Sequence, residues 1–362
     1  MRKKIISAVG ARPNFVKIAP LGLSLKKHPE IEHILVHTGQ HYDINMSDYF
    51  LEDLEIAQPD FNLGVGSASH AVQTANIMMA FERICLEIKP DLIVVVGDVN
   101  STIACALVAA KLQIKVAHVE AGLRSHDRTM PEEVNRILTD HLSDILFCPT
   151  KTAVSNLQKE GIFENVHNVG DVMCDVLLDN LERVDHKGFS LDKYRLDGGY
   201  FLATVHRASN TDTRENLESI IHAFSELESP VILPLHPRTR KMLKKFGLYR
   251  ETVKSPNIRI IDPVGYLEML FLEKNARLII TDSGGIQKEA YLLKKPCVTL
   301  RDSTEWVETL GKGNVLVPIE AEKIRTTAAT MASQKFTYKE AFYGKGDAAR
   351  KIAQIIAKEL SA

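Results

Sequence analysis

The chain has 362 residues, 45% apolar and 25% charged, with a formal net charge of −1. That length suits two domains, and the near-neutral charge excludes the basic footprint of a nucleic-acid binder, so that any nucleotide here is a small ligand. No run of eighteen apolar residues occurs, which argues against a membrane-spanning helix.

The opening MRKKIISAV carries only a short apolar run and reads as a buried first strand rather than a signal segment. It leads through GARPNFVK into a helical pattern. Gly10 ends the strand and Pro13 suits a first helical turn. Arg12 and Lys17 bring two cations to that helix start, as phosphate or carboxylate partners. EHILVHT is the second strand. The polar loop after it, HTGQHYD, holds Gln40 and His41, with a structural or a functional role equally open. DLIVVVG then puts Asp98 directly at a strand end, where it is either a catalytic carboxylate or a helix cap. KVAHVEAG puts Glu120 at the next strand end among small and apolar neighbours. Burial there would raise its pKa and suit acid–base work, with a salt bridge to Arg124 as the plainer alternative. MPEEVNR opens a helix with Glu132 in its first turn, a position the helix dipole alone favours, and with Arg136 one turn on. DILFCP and TKTAVSNLQKEG complete the first series.

The strand–helix alternation restarts near residue 200, after the polar stretch LERVDHKGFSLDKYRLDGG, read as the linker region. GYFLATVHR ends in His206 and Arg207, and PVILPLHP ends in His236. NIRIIDPV precedes GYLEM, with Tyr266. ARLIITDSGG gives Ser283, Gly284 and Gly285 at a strand-to-helix turn with Glu289 shortly after, and KPCVTLRD gives Arg301. Adjacent glycines at such a turn let a ligand approach bare backbone. Short apolar runs separated by helices indicate parallel strands covered on both faces. The fold class expected is therefore α/β, with two Rossmann-like doubly wound domains facing a cleft. The expected domains are 1–170 and 171–340, with residues 341–362 as a closing helix that could pack back on the first domain.

The five cysteines form no C-x-x-C pair and sit in apolar context, the pattern of buried thiols in a reducing cytoplasm. Among the thirteen histidines no H-E-x-x-H occurs, so no metal is expected. No G-x-G-x-x-G follows the first strand and no Walker loop occurs, which argues against a nicotinamide enzyme and an NTPase. The first half concentrates carboxylates and the second half donors suited to a diphosphate.

Taken in order, GARPNFVK, GDVNST, HVEAGLR, MPEEVNR, TVHR, HPR, TDSGGIQKEA and RDSTEW closely resemble the non-hydrolysing UDP-N-acetylglucosamine 2-epimerase family along nearly the whole chain. The resemblance implies a GT-B-like fold, a cytoplasmic homodimer and no cofactor. It implies interconversion of UDP-GlcNAc and UDP-ManNAc for cell-surface polysaccharide precursors, by loss and return of UDP through a 2-acetamidoglycal. It assigns catalysis to Asp98, Glu120, Glu132 and His206. Arg12, Lys17, Arg136, Arg207, His236, Tyr266, Ser283, Gly284, Gly285, Glu289 and Arg301 would bind the UDP-sugar, and Gln40 and His41 would lie near a second, activating site. Departures from the common bacterial pattern are Ser209 in HRASN, Arg238 in HPR and a shorter span from Glu120 to Glu132. They resemble epimerases of UDP-2,3-diacetamido-glucuronates, whose carboxylate Arg238 could meet bidentately. A GT-B glycosyltransferase is the further alternative.

Overall fold

The structure is a computed structural model and describes residues 2–39, 58–194, 199–338 and 341–361. The chain divides into two compact units, Met1–Asp179 with Ala341–Ala362, and Asn180–Glu340.

Among the described residues, the first unit carries a parallel sheet of seven strands: β1 (Lys3–Val9), β2 (Ile31–His37), β3 (Phe61–Asn62), β4 (Leu92–Val96), β5 (Lys115–Val119), β6 (Ile145–Cys148) and β7 (Val166–Asn168). Their order is β3-β2-β1-β4-β5-β6-β7. All five residues of β4 are buried, because helices cover both faces of a sheet built by right-handed crossovers. The helix Asn100–Lys111 lies against both His70–Ile88 and Pro131–Leu142. Its Ala104, Cys105, Ala106 and Ala109 are fully buried, and their small size permits that close approach. The strand order reverses direction between β1 and β4. A doubly wound sheet opens a crevice at such a point, at the carboxyl ends of the strands.

The helix Ala348–Ser361 belongs to this unit and packs on the helix Arg12–Leu25. The Asp175 carboxylate accepts the N–H groups of Ala348 (3.1 Å) and Ala349 (2.8 Å) and so caps its first turn. Burial pushes the Asp175 carboxyl up to about 6 despite those two bonds.

The second unit has six parallel strands among its described residues: β8 (Phe201–Thr204), β9 (Val231–Pro234), β10 (Ile258–Ile261), β11 (Leu278–Thr281), β12 (Cys297–Thr299) and β13 (Asn314–Leu316). Their order, β10-β9-β8-β11-β12-β13, repeats that of the first six strands of the other sheet, so β8 and β11 form its switch point. Phe201, Phe224, Leu233, Ile280 and Val298 centre its core.

The sequence reading lacks β3, β7 and β13. Each is two or three residues long, too short to carry a pattern of its own. The stretch read as linker begins inside the helix Val172–His186, where Val184 is buried. The chain then turns at Gly188, in the left-handed region with φ of +68°, and Tyr194 is buried in the short helical turn Leu191–Tyr194. All five cysteines are buried free thiols, as their apolar context predicts.

Candidate functional site

In the first unit the polar residues gather on the loops after β1, β4 and β5. Asn14 ties the first two together. Its Oδ1 accepts the Ala11 N–H at 3.0 Å, and its Nδ2 donates to the Val96 carbonyl at 3.1 Å. Gly97 follows with φ of +71°. A Cβ there would sit 3.3 Å from Asn14 Nδ2, 3.4 Å from Lys17 Nζ and 3.5 Å from Glu120 Oε2, so the glycine opens the space these three occupy.

Glu120 has φ of +72°, a conformation few non-glycine residues adopt, and is 5% exposed. Its carboxylate pairs with Lys17 Nζ. The alternative bridge from Glu120 to Arg124 does not form. Arg124 instead donates from Nε and Nη2 to Glu160, both at 2.7 Å, and from Nη1 to Asp140 at 2.7 Å. Asp140 also meets His118 Nδ1 at 2.7 Å and the Gly122 N–H at 3.0 Å. Burial would raise Asp140, but His118 and Arg124 hold it below the usual carboxylate range. This cluster fixes the backbone on either side of Glu120 and was not foreseen as a unit.

Asp98 is not a helix cap. The residue at that position is Val99, and the Asp98 carboxylate faces Arg136. Arg136 Nε and Nη2 reach Asp98 Oδ2 at 3.0 and 2.7 Å, while Nη1 reaches Glu133 Oε2 at 2.9 Å. Glu133 also accepts from the Ser125 and His126 N–H groups, at 2.8 and 2.9 Å, and from Ser125 Oγ at 2.9 Å. It is the buried anchor that orients Arg136, and it stands beside Glu132, the acid singled out from sequence. Asp98, Glu132 and Asn135 line a cavity of about 280 Å³ with His70, Gln73 and Asn100. Glu120 and Lys17 are not among its lining residues. Gln40 and His41 lie outside the described residues, as does the side chain of Arg12.

In the second unit the switch point brings His206, at the end of β8, to Asp282, at the end of β11. Thr204 and Thr281 are register partners whose hydroxyls meet at 2.6 Å, so the next residues emerge side by side. The His206 ring Nδ1 lies 2.5 Å from Asp282 Oδ1. Asp282 also accepts the N–H groups of His206 and Arg207, each at 2.9 Å, and Asn210 Nδ2 at 3.1 Å. Burial would raise this carboxyl, but its bond to His206 and the backbone N–H groups hold it below its usual range. With Nδ1 committed to Asp282, the ring presents Nε2 outward. The His236 ring packs against it, 5.4 Å between centroids. His236 Nδ1 accepts the Arg238 N–H at 3.2 Å, which requires the neutral ring; burial and then the His206 charge lower its pKa accordingly.

The Ser-Gly-Gly turn opens the helix Gly284–Leu292, with Ser283 as its cap, Oγ facing the Ile286 N–H at 3.5 Å. The first N–H groups of a helix have no partner within it, which makes this turn an anion site. Arg301 is 7% exposed. Its Nη2 donates to Glu305 at 2.9 Å, while Nε and Nη1 are buried with no partner. A Cβ on Gly284 would lie 2.8 Å from Glu305 Oε1, 3.3 Å from Trp306 Nε1 and 3.9 Å from Arg301 Nη1. Unspent guanidinium donors thus stand beside the amide-lined turn. Glu289, 5% exposed, sits further along the helix and faces Tyr266.

Arg238 does not offer an open fork. Its Nη2 meets Asp212 Oδ2 at 2.5 Å, and Nε meets Asp212 Oδ1 at 3.2 Å and Thr211 Oγ1 at 3.1 Å. The bidentate face expected to meet a uronate is occupied by an exposed carboxylate of the chain itself.

Two Rossmann-like units with one strand order, one bearing carboxylates at its switch point and the other an anion-ready turn, define an α/β protein of the GT-B-like class. A family model described as UDP-N-acetylglucosamine 2-epimerase matches residues 23–357, and the chain belongs to that family. It is 52% identical, over 98% of its length and 99% of the relative's, to a UDP-N-acetylglucosamine 2-epimerase homolog of Methanococcus maripaludis. It is 45% identical, over 98% of its length and 99% of the relative's, to the UDP-2,3-diacetamido-2,3-dideoxy-D-glucuronate 2-epimerase of Pseudomonas aeruginosa. Among solved structures, the Methanocaldococcus jannaschii UDP-GlcNAc 2-epimerase in complex with UDP-GlcNAc and UDP matches with a TM-score of 0.91 at 43% identity, covering 98% of this chain and 99% of that one.

Proposed function

We propose that this chain interconverts UDP-N-acetylglucosamine and UDP-N-acetylmannosamine without hydrolysis. The observation that carries the reading within the family is Arg301: a buried guanidinium with two donor nitrogens unspent, beside a glycine turn with N–H groups to spare. Those donors suit a diphosphate that must be held both as ester and as leaving group.

The C2 hydrogen of an N-acetylhexosamine has no adjacent carbonyl, so a carboxylate alone removes it poorly. Breaking C1–O first solves this. The electron pair leaves with UDP, positive character develops at C1, and the C2 proton becomes removable. Its C–H pair forms the C1–C2 double bond of a 2-acetamidoglycal. Proton return to the opposite face of C2, with UDP oxygen adding back to C1, gives the epimer. His206, held by Asp282, and Arg301 are assigned to the leaving diphosphate, with Ser283, Gly284 and Gly285. Arg207 and His236 are assigned to the same end of the substrate, Tyr266 to the uracil region, and Glu289 to the ribose hydroxyls, for which a carboxylate has acceptor sites to spare. Asp98, Glu120 and Glu132 are assigned the proton transfers, with Lys17 paired to Glu120 and Arg136 to Asp98. General acid–base steps of this kind each contribute about 10² to 10⁴ in rate.

The helix His70–Ile88 exposes Val72, Met79 and Leu86 at seven-residue spacing, 51%, 58% and 58% exposed, and we assign this stripe to contact with a second copy of the chain. Light scattering that finds a monomer, or a dimer unaffected by Met79→Glu, would remove that assignment.

The test of the activity is NMR of UDP-GlcNAc incubated with the enzyme and nothing else. UDP-ManNAc is the expected product. Free ManNAc with UDP would indicate a hydrolysing enzyme, and an unchanged substrate a glycosyltransferase lacking its acceptor. The same incubation with a UDP-2,3-diacetamido-glucuronate tests the specificity named for the Pseudomonas relative.

A further inference from the structure

The Ser-Gly-Gly helix and the loop after β12 are joined by a buried ring of hydrogen bonds that the reaction above does not use. Gln287, on the helix Gly284–Leu292, is 0% exposed and stands at its centre. Its Oε1 accepts the Thr304 hydroxyl at 2.8 Å and the Asn314 side-chain amide at 3.4 Å, and its Nε2 donates to the Ser283 carbonyl at 3.1 Å. Thr304 Oγ1 in turn accepts the Trp306 N–H at 3.2 Å. The Trp306 carbonyl accepts the Thr309 hydroxyl at 3.1 Å, and Thr309 Oγ1 accepts the Asn314 side-chain amide at 3.2 Å, which closes the ring. Asn314 is also fixed from β12, its Oδ1 accepting the Thr299 hydroxyl at 2.7 Å.

Thr299, Thr304, Thr309 and Asn314 are each 5% exposed or less. Apolar side chains of the same shape would fill this space with little change in stability. A connected polar network instead admits one arrangement of the segments it joins. Two features of the anion-ready turn depend on that arrangement. The C=O and N–H of a trans peptide point in opposite directions. Gln287 holds the Ser283 carbonyl towards the helix with its own N–H, at 3.4 Å, as well as with its side chain, so the Gly284 N–H of the same peptide is aimed out of the helix start. Glu305 lies between Thr304 and Trp306, the two residues that Thr304 Oγ1 ties together, and its Oε2 accepts Arg301 Nη2 at 2.9 Å. Pinning that turn to Gln287 sets where the Arg301 guanidinium stands relative to the Gly284 N–H.

We propose that Gln287 and Thr304 are positioning residues for the diphosphate: the hydrogen bond between them holds the Arg301 guanidinium and the Gly284 N–H in one fixed geometry before UDP binds. The proposal rests on the assignment of Arg301 and the glycine turn to the diphosphate. Donors held in place before the ligand arrives need no ordering at the moment of binding, and affinity rises accordingly.

The test is a double-mutant cycle in UDP affinity, measured by calorimetry at a temperature where circular dichroism shows each variant folded. Thr304→Ser keeps the hydroxyl and should bind UDP within about twofold of the wild type. Thr304→Val keeps the shape without the bridge and should lose about tenfold. Added to Arg301→Met, it should lose nothing further, because its effect runs through the guanidinium. Gln287→Met, made in the wild type and in Arg301→Met, repeats the cycle where Thr304→Val does not fold, and its loss should be smaller in the second background. Nitrogen-15 NMR of the arginine Nε–H groups, with Arg301→Met identifying the signal, needs no change at either positioning residue. Free wild type should show the Arg301 signal resolved from those of the exposed arginines, and moving when UDP is added. Undiminished UDP binding by Thr304→Val, a loss that persists in full without Arg301, or an Arg301 signal averaged with the exposed arginines in the free enzyme each overturn the proposal. An Arg301→Met variant that binds UDP as the wild type does removes the diphosphate assignment itself, and the inference with it.

Discussion

Replacing Asp282 with Asn tests the organisation of the second switch point. The Asp282 carboxylate is 0% exposed and accepts from His206 Nδ1, the N–H groups of His206 and Arg207, and Asn210 Nδ2. An amide of the same shape has one acceptor oxygen, and its NH₂ must point at one of those donors. One or two buried N–H groups lose their partner, and a charge-assisted bond to the imidazole is lost. Unpaired buried groups cost about 1–3 kcal/mol each, so the variant should be about 3 kcal/mol less stable in urea unfolding. His206 also loses the group that fixes its ring. If the imidazole faces the departing diphosphate, kcat should fall about 10²- to 10³-fold, the range for losing one preorganised donor, with KM for the UDP-sugar changed far less. The assay is initial-rate NMR at a temperature where circular dichroism shows the variant folded. A folded Asp282→Asn with wild-type kcat, beside an inactive His206→Ala, would refute the argument that Asp282 works through His206.

Arg136→Met leaves Asp98 and Glu133 without the guanidinium that joins them. It should cost about 3 kcal/mol in urea unfolding and lower kcat more than it raises KM. Gly284→Ala would put a methyl 2.8 Å from Glu305 Oε1, on the carboxylate whose other oxygen, Oε2, Arg301 holds. UDP affinity measured by calorimetry should drop about tenfold while the melting temperature changes little. Asp175 is raised from 3.8 to about 6 in the folded chain. The folded state therefore holds its proton more tightly than the unfolded state, so this group favours folding below about pH 4, and that contribution is lost as pH rises through about 6. Asp175→Asn should accordingly match the wild type in urea midpoint near pH 4 and exceed it by up to about 3 kcal/mol at pH 7. An equal difference at both pH values would show that Asp175 does not titrate as its burial requires.

The strand ends were legible because each combines an apolar run with an abrupt polar or glycine residue, and both switch points carry the residues singled out: Asp98 after β4, His206 after β8, the Ser-Gly-Gly turn after β11. The pairings between them were not. Lys17 meets Glu120 across 103 positions, and His206 meets Asp282 across 76. The first contact depends on a strand order that places β4 between β1 and β5, the second on β8 beside β11, and hydrophobic periodicity marks strands without ordering them. In sequence Asp282 is a residue before a serine and Glu133 a second acid in a helical first turn, and neither position marks its partner. Arg238 shows the opposite limit. Its place in HPR suggested a ligand for a uronate, yet Asp212, 26 residues earlier, already fills its fork.

The central claim is that the C2 proton leaves only as the bond to UDP breaks, and returns from a protein acid exchanged with solvent. Its most direct test is NMR of UDP-GlcNAc turned over in D₂O. The account predicts that every molecule of UDP-ManNAc formed carries deuterium at C2, and that UDP-GlcNAc recovered at equilibrium carries it as well. Epimerised product that retains the original hydrogen at C2 would contradict it.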